Sequence, residues 1–207
     1  MIDLTGHHVF IAGGSRGIGR AAALMAARAG ANVSINYLSR KDAADETADA
    51  IRAIGRNAVV LQGDVSDAGV AAELIGTAVA ELGPLSGLVV SAGVFEPGPL
   101  DEMTPEFWDR TMKVNVRGTF LAVQAAAPHL RVHGGGSIVI YTSTAGQRGS
   151  DVYSAYATSK GAQILFMRSM AKELGRDKIR VNCIAPAWTE TDMAAPSLDE
   201  LGRESVS

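Results

Sequence analysis

The stretch VFIAGGSRGIG, residues 9–19, passes from a short apolar run into a glycine-rich loop. Helix-forming residues follow from 18 to 29 and stop at Gly30, so a strand, a loop and a helix are predicted in succession. Glycines permit a tight turn and close backbone approach, and the start of a helix offers unpaired N–H groups to an anion. The spacing is G-x-x-x-G-x-G and not the G-x-G-x-x-G of the usual dinucleotide fingerprint, and no Gly-Lys-Ser/Thr follows it, which argues against a P-loop. Such a loop before a helix is still suited to a dinucleotide's pyrophosphate. A plain strand-to-helix turn is the alternative.

The rest of the chain repeats this alternation of strand and helix. Strands are predicted at residues 9–12, 32–37, 58–61, 88–90, 137–141 and 179–184, and helices at 18–29, 41–54, 67–82, 104–130 and 154–175. The strands are continuous apolar runs, which is typical of a parallel sheet covered on both faces. Right-handed crossovers predict the strand order 3-2-1-4-5-6 of a doubly wound, three-layer α/β/α Rossmann fold. No linker or repeat interrupts the pattern, so residues 1–207 are predicted to form a single domain.

Composition excludes several classes of protein. The chain has 207 residues, of which 47% are hydrophobic and 20% charged, and its net charge of −3 argues against a nucleic-acid partner. Cys183 is the only cysteine, so an internal disulfide is excluded and a reducing compartment is expected. The N-terminus lacks the features of a signal peptide, and no apolar stretch is long enough to cross a bilayer. We therefore predict a cytoplasmic protein without a membrane partner.

The end of the second predicted strand bears on the choice between NAD and NADP. An acidic residue there would accept hydrogen bonds from the ribose hydroxyls and repel a 2′-phosphate, but residues 36–41 contain none. Arg16 and Arg40 are instead placed to clamp a phosphate, and Ser39 to donate a hydrogen bond. These features favour NADP(H) over NAD(H). In the alternative interpretation, Arg40 and Lys41 are solvated residues at the start of a helix.

Asp64 and Val65 follow the third predicted strand. An aspartate at that rim of the sheet can accept a hydrogen bond from the adenine amino group of a bound dinucleotide. It can also cap the helix that begins near Asp67. The two roles are compatible, and the sequence leaves both open.

Proton chemistry is predicted near the end of the chain. Tyr156 and Lys160 are four residues apart, so both lie on one face of a helix. A phenol with a pKa near 10 is a poor base at neutral pH, and a neighbouring ammonium is expected to lower that pKa. Ser143 ends the fifth strand on the same rim, where its hydroxyl is placed to hold a substrate oxygen. A Tyr-x-x-x-Lys pair alone is often an ordinary helix surface; its agreement with the glycine loop makes it informative.

In these features the chain resembles the classical short-chain dehydrogenase/reductase family. The resemblance covers residues from about 5 to 193. Within the family, the chain most resembles 3-oxoacyl-carrier-protein reductases and glucose-dehydrogenase-like members. It rests on the glycine loop together with Asp64, residues 91–93, Asn115, Ser143, Tyr156, Lys160 and residues 182–186.

The resemblance implies an NADP(H)-dependent oxidoreductase that interconverts a carbonyl and an alcohol, such as a 3-oxoacyl thioester or a similar ketone. Tyr156 would be the general acid or base, and Lys160 would lower its pKa and bind the nicotinamide ribose. Ser143 would orient the substrate carbonyl, and Asn115 would hold a water that relays protons to Lys160. In the alternative for Asn115, its side chain bonds to its own helix backbone.

The resemblance also implies a set of cofactor-binding residues and an oligomer. Ile184, with Thr189 or Thr191, would face the nicotinamide carboxamide. The two long helices, 104–130 and 154–175, would pair between subunits in a homodimer or homotetramer. The expected cofactor-binding residues are Gly13, Ser15, Arg16, Gly17, Ile18, Gly19, Tyr37, Ser39, Arg40, Asp64, Val65, Ser91, Ala92, Gly93, Tyr156, Lys160, Pro186, Thr189 and Thr191.

The chain departs from the family pattern in three ways, and the first and third of these motivate a competing hypothesis. The usual Asn-Asn-Ala-Gly after strand four is Val-Ser-Ala-Gly at residues 90–93, and Ala187 stands where a glycine is usual. If Ala187 needs a positive φ, it is strained by ~1 kcal/mol. Family members usually continue through a further helix and a seventh strand, so strand six is expected to be a sheet edge. The competing hypothesis is a non-catalytic NADP(H)-binding sensor or partner subunit; a sugar-nucleotide epimerase is less favoured.

Two further features bear on the substrate mouth and on metal binding. Trp188 follows strand six and either lines the substrate mouth or packs the loop there. His129 and His133 share a helical face, but no carboxylate or cysteine accompanies them, so no metal site is predicted.

Overall fold

The computed structural model describes residues 2–201 and contains one sheet of six parallel strands flanked by helices. The strands are β1 (His8–Ala12), β2 (Asn32–Tyr37), β3 (Ala58–Gln62), β4 (Gly87–Val90), β5 (Gly136–Tyr141) and β6 (Ile179–Ile184). The helices are α1 (Gly17–Arg28), α2 (Lys41–Ala53), α3 (Ala68–Leu82), α4 (Pro105–Met112), α5 (Gly118–His133), α6 (Ala145–Arg148), α7 (Ser154–Leu174) and α8 (Ala195–Leu201). A π-helical turn, Lys113–Arg117, joins α4 to α5, and a 3-10 turn, Gly175–Asp177, follows α7.

The strand order is β3-β2-β1-β4-β5-β6, which confirms the predicted doubly wound Rossmann fold. The order reverses between β1 and β4, where ligands bind in such sheets. At that point the amides of Ser91 and Ala92 both donate to the carbonyl of Ala12, each at 2.9 Å. The extent of the predicted domain stays a prediction, because residues 202–207 lie outside the described part.

The core has two layers because successive strand residues point to opposite faces of the sheet. Phe10 and Ala12 of β1 pack with buried residues of α3, α5 and α7, whereas Val9 and Ile11 pack with those of α1 and α2. Burial on both faces is what the continuous apolar strands require. The apolar residues needed for this burial lie within the strands, so polar residues can follow the carboxyl ends of the strands.

The predicted helix 104–130 was wrong in one respect, because the π-helical turn interrupts it. The Thr104 side chain caps α4 as predicted, accepting a hydrogen bond from the amide of Phe107 at 3.2 Å. At the π turn the backbone bonds shift from i+4 to i+5, which changes how the Asn115 carbonyl is satisfied. Such a turn leaves no signal in hydrophobic periodicity. The short helices α6 and α8 were also not predicted.

The structure tests two expectations from the sequence: the conditional strain at Ala187 and the edge position of the sixth strand. Among residues 2–201, the non-glycine residues with positive φ are Val152 and Lys178, so Ala187 does not carry the conditional strain. Strand β6 is the last strand of the described sheet, and Arg180 and Asn182 on its outer face are exposed.

Within the described residues, no helix has the length and apolar character needed to span a membrane.

His8 is buried at the start of β1 and holds a fixed tautomer. Its Nδ1 lies 2.9 Å from the carbonyl of Gly83, which can only accept, so Nδ1 carries the proton and Nε2 accepts from the Ser34 hydroxyl at 2.8 Å. Burial lowers the pKa of His8, and the Gly83 hydrogen bond opposes this in part. The folded protein therefore binds fewer protons at this site than the unfolded chain does.

We expect the free energy of unfolding to fall as the pH drops below about 6.5, the unfolded-state pKa of histidine, by up to about 1.4 kcal/mol per pH unit. Replacing His8 with glutamine should flatten this slope, as measured by urea unfolding between neutral and mildly acidic pH. An unchanged slope in His8→Gln would contradict the assignment.

Candidate active site

A cleft of about 490 Å³ runs along the carboxyl ends of all six strands. Its volume lies within the range usual for small-molecule sites. Every predicted site residue lines it except Gly19, Asn115 and Ile184. Gly19 and Asn115 are buried, whereas Ile184 at the end of β6 is 47% exposed.

The glycine loop is packed so closely that side chains are excluded at two positions. Gly13 has φ +75°, and a Cβ there would lie 2.6 Å from the backbone nitrogen of Ala92. A Cβ on Gly19 would lie 2.0 Å from the carbonyl oxygen of Gly13. The N-cap residue of α1, Arg16, makes no side-chain cap and the first turn holds no acid, so its amides suit an anionic ligand. The loop therefore fits a pyrophosphate.

The residues predicted to select NADP lie at the end of β2 and line the cleft. Arg40 is exposed, and its guanidinium donates to both carboxylate oxygens of Asp42, at 3.0 and 2.8 Å. This pairing lowers the pKa of Asp42 to about 2. Arg40 thus matches the alternative description of a solvated residue at a helix start, and it remains within reach of the cleft that Ser39 and Arg16 also line.

Asp64 does not cap α3, which corrects one of its two predicted roles. Its Oδ1 accepts from the amide of Ser66 at 2.8 Å, whereas the N-cap of α3 is Asp67. Asp64 still lines the cleft, so the adenine role stays a prediction. Sequence reasoning missed its neighbour Asn36, whose buried side chain donates to the Gly63 carbonyl at 3.0 Å and ties β2 to this loop.

Ser143, Tyr156 and Lys160 meet in the same cleft. Ser143 lies near enough to the Tyr156 phenol for its side chain to lower the pKa of that phenol, and its hydroxyl accepts from the amide of Ala145 at 3.1 Å. Lys160 is buried and its Nζ lies 5.6 Å from the centre of the Tyr156 ring. That Nζ donates to the carbonyl of Tyr141 at 2.9 Å. The helix spacing and the end of β5 thus bring the three side chains together.

The electrostatics of this group differ from the expectation. Burial raises the pKa of Tyr156, and the hydrogen bond with Ser143 lowers it in part. Burial also lowers the pKa of Lys160 to about 8. The predicted lowering of the tyrosine pKa by Lys160 is not seen, because Nζ is directed to the Tyr141 carbonyl and desolvation dominates at both groups.

Asn115 is buried in the π turn and braces the segment after β4. Its Oδ1 accepts from the Val94 amide at 2.8 Å, and its Nδ2 donates to the Val94 carbonyl at 3.0 Å and to Ser159 at 2.9 Å. The backbone carbonyl of Asn115 accepts from Thr119 and Gln163 at 2.7 and 2.8 Å. The side chain therefore does not bond to its own helix, and the water-relay role stays a prediction.

Two glycines that the sequence did not single out set the spacing of the site. A Cβ on Gly146 of α6 would lie 2.6 Å from the backbone carbon of Lys160, and one on Gly161 would lie 3.2 Å from the Gly146 carbonyl. Helices α6 and α7 therefore touch at the backbone, which holds Ser143 beside Tyr156. A pair of glycines fifteen residues apart gave no local signal of this contact.

Trp188 lines the cleft, which decides between its two predicted positions. Phe95, which was not predicted, also lines it and lies in edge contact with both Trp188 and Tyr156. Among the side chains that the structure describes, no group of three or more histidine, cysteine, aspartate or glutamate residues is placed to hold a metal ion.

The sequence profile of the short chain dehydrogenase family matches residues 7–202. The chain belongs to the short-chain dehydrogenase family. It is 40% identical over 191 residues to elsinochrome reductase 1 of Elsinoe fawcettii, covering 92% of this chain and 71% of that protein. It is 37% identical over 192 residues to trihydroxynaphthalene reductase PfmaI of Pestalotiopsis fici, covering 92% of this chain and 67% of that one.

A solved relative gives the same result in three dimensions. The structure of a short chain dehydrogenase from Burkholderia cenocepacia J2315 in complex with NADP superposes with a TM-score of 0.91 at 38% identity. The superposition covers 97% of this chain and 82% of the Burkholderia chain. This short-chain dehydrogenase is thus an oxidoreductase, as the sequence indicated. The finer resemblance to 3-oxoacyl-carrier-protein and glucose-dehydrogenase-like enzymes stays a prediction, as does the cytoplasmic location.

Proposed function

We propose that this short-chain dehydrogenase reduces a ketone to a secondary alcohol with NADPH, and that Tyr156 donates the proton. The observation that carries the proposal is the meeting of Ser143, Tyr156 and Lys160 in one cleft with the glycine loop. When bound, NADPH supplies the hydride. The experiment is to follow the loss of NADPH absorbance with a panel of ketones; no turnover of any would contradict the proposal.

In this mechanism the chain positions the ketone and manages one proton. Ser143 and Tyr156 both direct hydroxyl groups at the carbonyl oxygen, which develops negative charge as hydride arrives. The raised pKa of Tyr156 keeps the phenol protonated at neutral pH, the form a general acid needs. Lys160 places a cation behind the phenol and would bind the nicotinamide ribose. General acid catalysis of this kind is worth about 10²–10⁴-fold in rate.

The ketone itself is proposed at the level of class. A 3-oxoacyl thioester is the substrate that the sequence resemblance favours. The named relatives are instead an elsinochrome reductase and a trihydroxynaphthalene reductase, and the naphthalene in the second name makes fused aromatic compounds the second class proposed.

NADP(H) is proposed over NAD(H) because no acid ends β2 and because Arg16, Ser39 and Arg40 line that part of the cleft. The NADP complex of the Burkholderia relative supports this choice. A ligand at a hundredfold excess over its Kd stabilises a protein by about 2.7 kcal/mol, which a thermal melt resolves. We expect the larger increase in melting temperature with NADPH than with NADH. A larger increase with NADH would contradict the preference.

Arg40→Gln should reduce the excess of the NADPH shift over the NADH shift. Asp42→Asn should enlarge it, because it releases the guanidinium that Asp42 now holds. Arg52→Gln is the matched control, since Arg52 is an exposed arginine of α2 paired with Asp49 and does not line the cleft. If Arg40→Gln behaved like Arg52→Gln, Arg40 would have no part in cofactor choice.

We also propose that the protein is at least a dimer. Phe120 of α5 is 42% exposed and Leu165 of α7 is 62% exposed, which leaves apolar surface on the two helices expected to pair. Analytical ultracentrifugation at micromolar concentration should show no predominant monomer, and Leu165→Glu should produce one. Leu100→Glu, at an exposed loop leucine, is the control. A monomeric parent protein would contradict the proposal.

A further inference from the structure

A cluster of aromatic rings forms the wall of the cleft beside the Tyr156 phenol. Phe95 stacks on Tyr153 with ring centres 4.4 Å apart and an interplanar angle of 4°. It meets Tyr156 edge-on at 4.8 Å and Trp188 edge-on at 5.7 Å. Of these rings, Phe95, Tyr156 and Trp188 line the cleft, whereas Tyr153 is buried behind them. The aromatic wall therefore starts at Tyr156, whose hydroxyl hydrogen-bonds the substrate carbonyl in the proposed mechanism.

The position of Phe95 is fixed from both sides. On one side, Asn115 bonds both backbone groups of Val94. On the other, Arg110 donates to both carboxylate oxygens of Glu96, and the Gly98 amide donates to the Val152 carbonyl at 2.7 Å. A ring held in this way loses little freedom when a ligand packs against it, so the contact retains most of its binding energy.

Tyr153, behind Phe95, is held as firmly. Its hydroxyl lies 2.8 Å from that of Ser197 on α8, and both side chains are buried. Trp188 in front is 38% exposed, so its indole offers apolar surface that a ligand in the cleft would cover. The aromatic cluster is therefore fixed on its buried side at Tyr153 and accessible to a ligand on its cleft side at Trp188.

We propose that Phe95 and Trp188 form a platform for an aromatic ring, so that the natural substrate is a ketone with an aromatic ring fused or attached close to the carbonyl. The inference rests on the proposed ketone reduction. Because Tyr156 itself touches Phe95, a ring within a few bonds of the reacting carbonyl lies against this platform. Aromatic rings gain edge-to-face or offset-stacked contacts there beyond the burial that a saturated group obtains. A flexible 3-oxoacyl chain gains burial alone.

The test compares 2-tetralone with 2-decalone, fused bicyclic ketones of similar shape whose carbonyls are not conjugated to a ring. The parent protein, with NADPH, should reduce 2-tetralone with a kcat/KM about three- to tenfold higher than that for 2-decalone. Trp188→Leu and Phe95→Leu should bring this ratio to within about twofold of one. Trp108→Leu is the matched control, because Trp108 is 37% exposed on α4 and does not line the cleft; it should keep the parent ratio.

The ratio distinguishes a platform from a merely structural role, which would change both rates together. Equal kcat/KM values for the two ketones in the parent, or a ratio unmoved by Trp188→Leu, would overturn the inference and leave the proposed ketone reduction intact. A parent that reduced neither these ketones nor an acetoacetyl thioester would contradict the proposed function itself. Preference for the thioester over both bicyclic ketones would also overturn the aromatic substrate class.

A binding measurement keeps the inference testable without turnover. In a Trp108→Leu background Trp188 is the only tryptophan, so its fluorescence reports on the platform. With no cofactor present, so that 2-decalol cannot be oxidised, 2-naphthol should quench this fluorescence and bind at least threefold more tightly than the saturated alcohol 2-decalol. Equal affinity for the two alcohols would overturn the inference.

Discussion

Replacing Tyr156 with phenylalanine is expected to lower kcat/KM for ketone reduction by about 10²–10⁴-fold and to leave NADPH affinity nearly unchanged. The substitution removes only the hydroxyl. The ring that contacts Phe95 at 4.8 Å stays, and so does the apolar surface next to Lys160. The measurement is steady-state NADPH oxidation, combined with the NADPH-dependent increase in melting temperature.

The control for this prediction is Ser169→Ala, which removes an exposed hydroxyl from the same helix and should retain parent activity. Activity of Tyr156→Phe within a fewfold of the parent would show that another group donates the proton. Loss of the NADPH-dependent shift in Tyr156→Phe would mean that the tyrosine is needed to assemble the cofactor site, and its role as general acid would then be unsupported.

Replacing Gly19 with alanine is the second large effect, because the added Cβ would lie 2.0 Å from the Gly13 carbonyl oxygen. The obstacle is backbone, so the start of α1 must move away from the loop. We expect a loss of about 1–3 kcal/mol in the free energy of unfolding, as for other overpacked sites. The NADPH-dependent stabilisation should be lost as well. Urea unfolding with and without NADPH measures both.

Gly76→Ala provides the matched control, since Gly76 lies inside α3 and a Cβ there meets nothing within 4 Å. Alanine is the better helix former, so this variant should be more stable by about 0.5–1 kcal/mol with cofactor binding intact. Full NADPH stabilisation of Gly19→Ala would show that the loop can relax without losing the phosphate site.

Much of the candidate site was readable from the sequence because its residues sit at strand ends. The carboxyl ends of parallel strands share one edge, so residues that follow different strands are brought together by the fold. Gly13, Asp64 and Ser143 follow three different strands, and all line one cleft. Tyr156 joined them through its position on α7, which a four-residue spacing to Lys160 made recognisable.

Other features had no local signal. The π turn at Lys113–Arg117 depends on how Asn115 bonds to Val94 and Ser159 across the fold. The platform at Phe95 likewise depends on contacts with residues far along the chain. Such partners are chosen by packing and not by neighbours in sequence, so propensity and periodicity carry no information about them.

The sequence by itself determined the alternation of strand and helix, the order of the sheet, the glycine loop and the membership of the Ser143–Tyr156–Lys160 group. These follow from local propensities, double burial and the handedness of crossovers, which act along the chain. Only the tertiary structure decided that Lys160 bonds to the Tyr141 carbonyl, that Arg40 is held by Asp42, and that burial raises the pKa of Tyr156. Desolvation and side-chain pairing depend on what surrounds a group in space, and that is fixed only when the chain has folded.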